Sequence, residues 1–424
     1  MGINPKYRAL KGMPDILPKD AKIYRVIEEK ARKVFEDWEY DEIRTPILEE
    51  TSVFVRSIGE DTDIVEKEMY TLEDRSGKSL SLRPEGTASI IRAYIEQGLY
   101  KDNDKVKLFY MGPMFRSERP QKGRLRQFHQ IGVEIIGVCP PGIGDDIELI
   151  LNAKRVLKEI GVEKYTIYVN SLGCKKDRDK YKRSLTGFFS GVRSKLCDNC
   201  ERRISTNVLR VLDCKNKECK EVVQNAPRLL EYLCDECAGS YDNFKNTLSK
   251  IQIEFKEKTD LVRGLDYYTG VVFEIVHPGL GAQDAIAAGG RYDNLTKQMG
   301  GPESYATGYA IGVERLMLAI DKKREEFAIK RGTLVVAVGE DCRDEALFLT
   351  EKLRNEGMVC ALDNSGRSLK AVMRKANKEK RRYVIIIGEE EIRNEKICLK
   401  NMDTGEQTDM TAEDVIEKLK KEKI

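Results

Sequence analysis

Hydrophobic and polar positions along the chain fall into two rhythms, and the changes between them divide it. Residues 21–40, AKIYRVIEEKARKVFEDWEY, carry apolar side chains at helical intervals and predict an amphipathic helix, while 41–54, DEIRTPILEETSVF, is an extended run that Pro46 interrupts. Across 67–95, KEMYTLEDRSGKSLSLRPEGTASIIRAYI, the pattern predicts a hairpin turning at DRSG and a helix opening at EGTAS. KVKLFYMGPMFRSER (105–119) and RQFHQIGVEIIG (126–137) are strand-like runs on either side of a Pro/Lys/Gly tip, an antiparallel pair with a basic loop. Further on, DLVRGLDYYTGVVFEIV (260–276) and DAIAAGGRYDNLTKQM (284–299) restore β character, and GYAIGVERLMLAI (308–320) is a strand running into a helix. Strands that come mostly as hairpins, with helices between them, predict an antiparallel α+β core.

Residues 172–257 break this rhythm with a charged, Cys-rich, mostly helical segment that has the character of an insertion. After the charged linker DKKREEFAIKRG (321–332), the short β runs TLVVAVG, MVCALD and RYVIIIG alternate with helical stretches, the βαβ signature of a small parallel-type sheet. The expected organisation is a core of 1–171 and 258–325, a helical insertion over 172–257, and a C-terminal α/β domain over 326–424.

Composition narrows the function classes. With 74 basic against 71 acidic side chains the net charge is only +3, so a nucleic-acid surface, if present, is local. No stretch approaches a membrane span and the N-terminus MGINPKYRAL has no apolar signal core, which gives the expectation of a cytoplasmic protein without membrane partners. Six of the eleven cysteines lie between Cys197 and Cys237, and in a reducing compartment such clustering favours metal over disulfide. CDNC and CDEC form a CxxC…CxxC pair from which Cys197, Cys200, Cys234 and Cys237 are expected to hold one structural Zn2+, with Cys214 and Cys219 as competing ligands. The alternative is a set of reduced thiols that stabilise the insertion by packing.

Residues 114–137, MFRSERPQKGRLRQFHQIGVEIIG, place five basic residues between Arg116 and Arg126 and then turn to Gln127, His129, Gln130 and Glu134. Arginine forks around a Lys/Gly tip suit polyphosphate or a nucleic-acid backbone; a solvated hairpin loop is the bland alternative. This stretch closely resembles the second signature motif of class II aminoacyl-tRNA synthetases, in the form found in the histidyl-tRNA synthetase family. RTPILE is similar to the first class II motif and GYAIGVERL to the third, while LVRGLDYYTGVVFEI and AAGGRYDNL resemble the two histidine-specific motifs. KGMPDILP and LRPEGTAS also fit that family's pattern, so the resemblance spans essentially the whole chain.

The resemblance implies a class II antiparallel catalytic sheet with flanking helices and a C-terminal anticodon-binding domain. It also implies a homodimer formed through the first motif, and substrates L-histidine, ATP with Mg2+, and histidine tRNA. Catalysis would rest on Arg116, Arg263, Arg315 and Gln130, with ATP held by Arg116, Glu118, Arg124, Phe128 and Arg315. Histidine would be bound by Glu85, Thr87, Gln130, Glu134, Arg263, Tyr267, Tyr268 and Tyr292. An isolated strand arginine such as Arg263 otherwise reads as half of a salt bridge, with Asp266 as its partner. For tRNA, Gln121 and Arg126 are expected at the acceptor end and Arg367 and Lys370 on the C-terminal domain, where helical spacing aligns Arg367, Lys370 and Arg374. A silent regulatory subunit of ATP phosphoribosyltransferase is the nearest rival, and a plain RNA-binding module the second. With only His129 and His277 in the chain, histidine side chains are not expected to carry acid–base steps.

Overall fold

The computed structural model describes residues 6–422 apart from 60, 61, 102, 138–142, 213, 215, 263, 282, 283 and 321–330. Arg263, most of the charged linker and the domain boundary expected at 325/326 therefore lie outside the described residues. The chain divides into two compact units, Met1–Phe327 and Ala328–Ile424.

In the larger unit six strands form the body of one sheet: β1 (Lys105–Phe115), β2 (Gln127–Gly137), β3 (Thr166–Ser171), β4 (Thr269–Val276), β5 (Ala285–Arg291) and β6 (Tyr305–Gly312). They stand in the order β1-β2-β6-β5-β4-β3 and every neighbouring pair is antiparallel. Two-residue strands, Asp41–Glu42 beside β1 and Lys256–Glu257 beside β3, close the edges in parallel. A separate small sheet orders Leu48–Glu50, Ser79–Leu82 and Tyr70–Glu73, the hairpin the sequence predicts with one more strand added.

Side-chain alternation decides what each face of the large sheet holds. Ile131, Val133 and Ile135 of β2 and Phe109 of β1 join a core with Ile23, Ile27, Val34 and Phe35 of helix α1 (Pro18–Asp37). On the opposite face, Leu108, Tyr110 and Ile136 join Ile90, Ile91 and Tyr94 of α2 (Thr87–Glu96). Helix α3 (Ile143–Ile160) belongs with α1, packing Ile147, Leu149, Ile150 and Leu157 into the first core. By the same alternation Gln130 and Glu134 face the α2 side, which is where the cleft lies.

The insertion is built from α4 (Lys175–Gly191), α5 (Asp198–Thr206), α6 (Lys217–Val223) and α7 (Asp235–Lys250) with short 3-10 turns between them. Tyr181, Leu185, Phe189, Ile204 and Val211 extend the core on the α2 side. Tyr241, Phe244 and Leu248 of α7 instead enter the core of α1 and α3, so the insertion shares both hydrophobic layers of its host. Helix α8 (Val313–Ala319) follows β6 and buries Val313, Leu316 and Met317.

In the C-terminal unit, β7 (Arg331–Val338), β8 (Cys360–Asp363), β9 (Arg381–Gly388), β10 (Ile397–Asn401) and β11 (Gln407–Met410) stand in the order β8-β7-β9-β10-β11. The first three are parallel and the last two antiparallel. Helices α9 (Arg343–Asn355) and α11 (Ala412–Lys421) cover one face through Leu349, Leu353, Val415 and Leu419, and α10 (Leu369–Lys378) covers the other through Val372 and Ala376. Burial on both faces explains why these strands read as continuous apolar runs. Lys370 and Arg374 are exposed on α10, whereas Arg367 precedes its N-cap, Ser368, so the three do not form one helical stripe.

Lys375 of α10 bonds the Asp363 carboxylate at the end of β8 at 2.8 Å. Burial by itself would raise the Asp363 pKa, but Lys375 and the hydroxyl and amide of Ser365 outweigh it and bring the value from 3.8 to about 2. The depressed value means that the pair's stabilisation is present above about pH 4 and is lost as pH falls towards 2. We expect Asp363→Asn to cost the unit about 2 kcal/mol at neutral pH and to flatten its acid sensitivity. The urea midpoint of its unfolding transition at about pH 5 and about pH 2.5 checks both.

Candidate active site

The β1–β2 hairpin is anchored at its base, where the Arg116 amide donates to the Arg126 carbonyl at 2.9 Å and the Arg126 amide donates to the Gly12 carbonyl at 2.8 Å. At its tip, Gln121 and Arg124 exchange two backbone hydrogen bonds of 2.9 Å around Gly123, whose φ of +74° suits glycine. The Gly123 carbonyl accepts from Arg315 Nε of α8 at 3.1 Å, and Arg315 Nη1 reaches the Ala285 carbonyl at 2.7 Å. Arg116 donates Nε to the Pro84 carbonyl at 2.9 Å and lays its guanidinium over the Phe128 ring, 5.3 Å from the centroid. Arg124 pairs with Glu118 and, at 3.5 Å, with Glu68. Arg116, Glu118, Arg124, Phe128 and Arg315 all line one cleft.

The other end of that cleft is formed by Glu85, Thr87, Gln130, Tyr267 and Tyr268. Glu85 accepts from the Thr87 and Ala88 amides at 2.7 and 2.8 Å, satisfying donors that the first turn of α2 would otherwise leave open. Burial raises its pKa, and those two amides oppose the rise. Thr87 donates its hydroxyl to Glu134 Oε1 at 2.7 Å and Tyr292 donates to Glu134 Oε2. The Glu134 carboxyl is 1% exposed and is pushed up from 4.5 to about 8, chiefly by burial, with those two donors pulling the other way. Gly308 is the residue paired opposite Glu134 on β6, and a Cβ there would collide with the carboxylate. Tyr267, Tyr268 and Tyr292 pack ring against ring, with centroids 4.7 to 6.4 Å apart.

Most of the expected site residues of the larger unit converge, but not all in one layer. Glu134 and Tyr292 do not line the cleft; they lie beneath it and hold Thr87 in place. Gln130 does line it, and among the described residues its Oε1 is buried with no hydrogen-bond partner. Gln121 is exposed at the loop tip, while Arg126 is half-buried and donates to the Glu118 carbonyl at 3.1 Å. Arg263 lies outside the described residues; Asp266, its suggested partner, accepts from Asn207 at 2.9 Å. Arg367 and Lys370 belong to the C-terminal unit and are exposed there.

Among the lining residues that the sequence reading did not name are four with polar side chains, Tyr110, Glu274, Tyr309 and Glu314. Glu314 takes the His129 amide at 2.9 Å, His129 Nδ1 at 3.0 Å and the Tyr24 hydroxyl at 3.0 Å, so it braces β2 against α1. Its only sequence signal is its place beside Arg315 in GVER.

The expected four-cysteine zinc site is not formed. Cys197 and Cys200 gather with Cys214 and Cys219, whereas Cys234 and Cys237 gather with Cys174 and Asp177. Each CxxC opens a different helix, Cys197 at the N-cap of α5 and Cys234 at the N-cap of α7, and each helix start meets its own partner segment.

The histidyl-tRNA synthetase family profile matches residues 12–176 and 195–316, and the anticodon-binding domain profile matches 333–422. The chain is 46% identical over 414 residues to the histidine–tRNA ligase of Thermosipho melanesiensis, covering 97% of each chain. It is also 46% identical over 400 residues to that of Aquifex aeolicus, covering 94% of this chain and 97% of the relative. The crystal structure of apo S. aureus histidyl-tRNA synthetase superimposes with a TM-score of 0.80 at 32% identity, covering 97% of this chain and 99% of that one. An antiparallel class II synthetase sheet carrying an arginine-lined cleft, with these relatives, places the chain in the histidyl-tRNA synthetase family.

The raised carboxyl of Glu134 has a measurable consequence. A folded pKa of about 8 against 4.5 means the folded protein keeps a proton that the unfolded chain releases, so stability falls as pH rises through that window. The ligand-free protein is expected to melt at a lower temperature at about pH 8 than at about pH 5, and Glu134→Gln is expected to shrink that difference. Calorimetry of both proteins at the two pH values checks it.

Proposed function

We propose that this chain is a histidine–tRNA ligase: it joins L-histidine to ATP as histidyl-adenylate, releasing pyrophosphate, and passes histidine to the 3′ end of histidine tRNA. A carboxylate oxygen of histidine attacks the α-phosphorus, the bond to the pyrophosphate oxygen breaks, and the amino acid is later taken by the terminal adenosine hydroxyl with AMP leaving. The nucleophile is already ionised, so the protein's task is positioning and charge stabilisation. The regulatory-subunit reading is not favoured, since the relatives matched over the full length are ligases and the anticodon-binding profile is present.

The observation that carries the reading is one cleft with two chemistries. Arg116 and Arg315, each fixed by backbone carbonyls, stand at one end, while Gln130 with an unpartnered buried oxygen stands at the other beside Glu85 and Thr87. In the proposed arrangement Arg116, Glu118, Arg124, Phe128 and Arg315 hold ATP, with Arg263 adding charge at the α-phosphate. Glu85, Thr87 and Gln130 take the α-ammonium group and Tyr268 the imidazole, with Tyr267 in the wall and Glu134 and Tyr292 supporting Thr87 from beneath. Mg2+ fits this donor set, because the Glu118 and Glu274 carboxylates line the same cleft; when bound with ATP it neutralises charge on the phosphate oxygens. Gln121 and Arg126 would meet the tRNA acceptor end, and Arg367 and Lys370 tRNA phosphates. We also propose the three-part division at 1–171 with 258–325, 172–257 and 326–424. A homodimer through the first class II motif and a cytoplasmic location belong to the same reading. Among the described residues no helix is long and apolar enough to cross a membrane.

ATP–pyrophosphate exchange should require histidine among the twenty amino acids, and Arg116→Ala should lower its kcat by about 10²–10³-fold. Gln130→Ala should mainly raise KM for histidine. Histidine binding without any exchange would replace the ligase with a histidine sensor.

A further inference from the structure

The cysteines that the sequence pairs wrongly form a complete metal-ligand set of their own. The sulfurs of Cys197, Cys200, Cys214 and Cys219 lie within 4.8 Å of one another. Cys197 Sγ and Cys214 Sγ are 3.9 Å apart, close to the edge of about 3.8 Å that a tetrahedron with Zn–S bonds of about 2.3 Å requires. The Cys197 amide donates to Cys219 Sγ at 3.2 Å, the kind of backbone contact that steadies a thiolate ligand. Cys200 and Cys219 are fully buried, and Cys197 and Cys200 occupy the N-cap and first turn of α5, where the helix dipole favours negative charge.

We propose that Cys197, Cys200, Cys214 and Cys219 together bind one structural zinc ion, as four thiolate ligands within the insertion. The spacing C-x2-C-x13-C-x4-C has a short knuckle at one end and a six-residue knuckle at the other, with the segment 201–213 as the loop the metal closes. That loop carries Arg203 and Arg210, each 2.8 Å from Asp63 of the host domain. Cys197 and Cys214 line an open depression together with Arg116, Arg124 and Arg315, so the zinc would brace the loop at the mouth of the cleft. Binding as thiolates releases protons and makes affinity rise with pH.

The second cluster is a different object. Asp177 accepts the Cys174 amide at 3.1 Å on one oxygen and the Cys234 amide at 3.0 Å on the other, capping two helix starts. A site that used the two CxxC pairs together would depend on Cys234 and not on Cys214.

Full-length protein purified with zinc and then dialysed should retain zinc by plasma mass spectrometry, and cobalt substitution should give thiolate charge-transfer absorption. Cys214→Ser and Cys219→Ser should lose that metal, while Cys234→Ser should leave the cobalt signal in place. If those variants fail to fold, wild type alone decides the matter. Mass-mapped alkylation should find Cys197, Cys200, Cys214 and Cys219 protected with zinc and modified after chelation. Absence of zinc, iron in its place, zinc unaffected by Cys214→Ser and Cys219→Ser, or equal alkylation with and without chelator would each overturn the site.

Discussion

A carboxyl group buried in the face of a β-sheet must be met by donors or kept protonated, and Glu134 is the group around which this cleft is arranged. Its neighbour across the sheet is Gly308, which leaves the space the carboxylate occupies. Thr87 and Tyr292 then meet its two oxygens from opposite sides of the structure, one from the start of α2 and the other from the segment after β5. Fixing Thr87 fixes the first turn of α2, whose amides in turn hold Glu85. Leaving such a group unpaired costs at least about 1–3 kcal/mol, so this end of the cleft is held in shape by its own hydrogen bonds.

The arginine-lined end is organised differently. Arg116 is tied to the Pro84 carbonyl just ahead of α2, and Arg315 to the Ala285 carbonyl at the start of β5 and the Gly123 carbonyl of the hairpin tip. Arg124 is instead paired with Glu118 and Glu68, both carboxylates. An anion entering the cleft competes for Arg124 but finds Arg116 already aimed. The Gly123 carbonyl couples the loop tip to Arg315, while Arg124 is held by carboxylates that an incoming anion would have to replace.

Much of this was legible in the chain because it is written in local periodicity. The alternation of β1 and β2 assigns Ile131, Val133 and Ile135 to the core and Gln130 and Glu134 to the cleft side, and the C-terminal βαβ rhythm follows from strands buried on both faces. Neither β3 nor α3 is among the sequence-based elements, although Ile147, Ile150, Leu157 and Ile160 stand at helical spacing in α3. Glu314 was missed because its partners, His129 and Tyr24, lie 185 and 290 residues away. The cysteine pairing failed similarly. A CxxC pair says that two thiols share a helix start, but which pairs meet is set by how α4, α5, α6 and α7 pack.

That packing also explains why the insertion belongs to the cleft more than its sequence separation implies. Its last helix, α7, sits in the core shared by α1 and α3, and its first, α4, sits in the core beneath α2. Between them, Arg203 and Arg210 converge on Asp63, whose pKa burial would raise but whose two guanidinium partners hold it below the usual carboxylate range. Breaking that cluster would leave a half-buried charge on each side, so the loop has one strongly favoured docking position. The wide cavity lined by Arg116, Arg124, Arg203 and Arg210 is therefore framed on one side by the sheet and on the other by the insertion. A polyanion reaching the cleft through it meets cations from both sides, and the insertion shapes the entrance through electrostatics as much as through bulk.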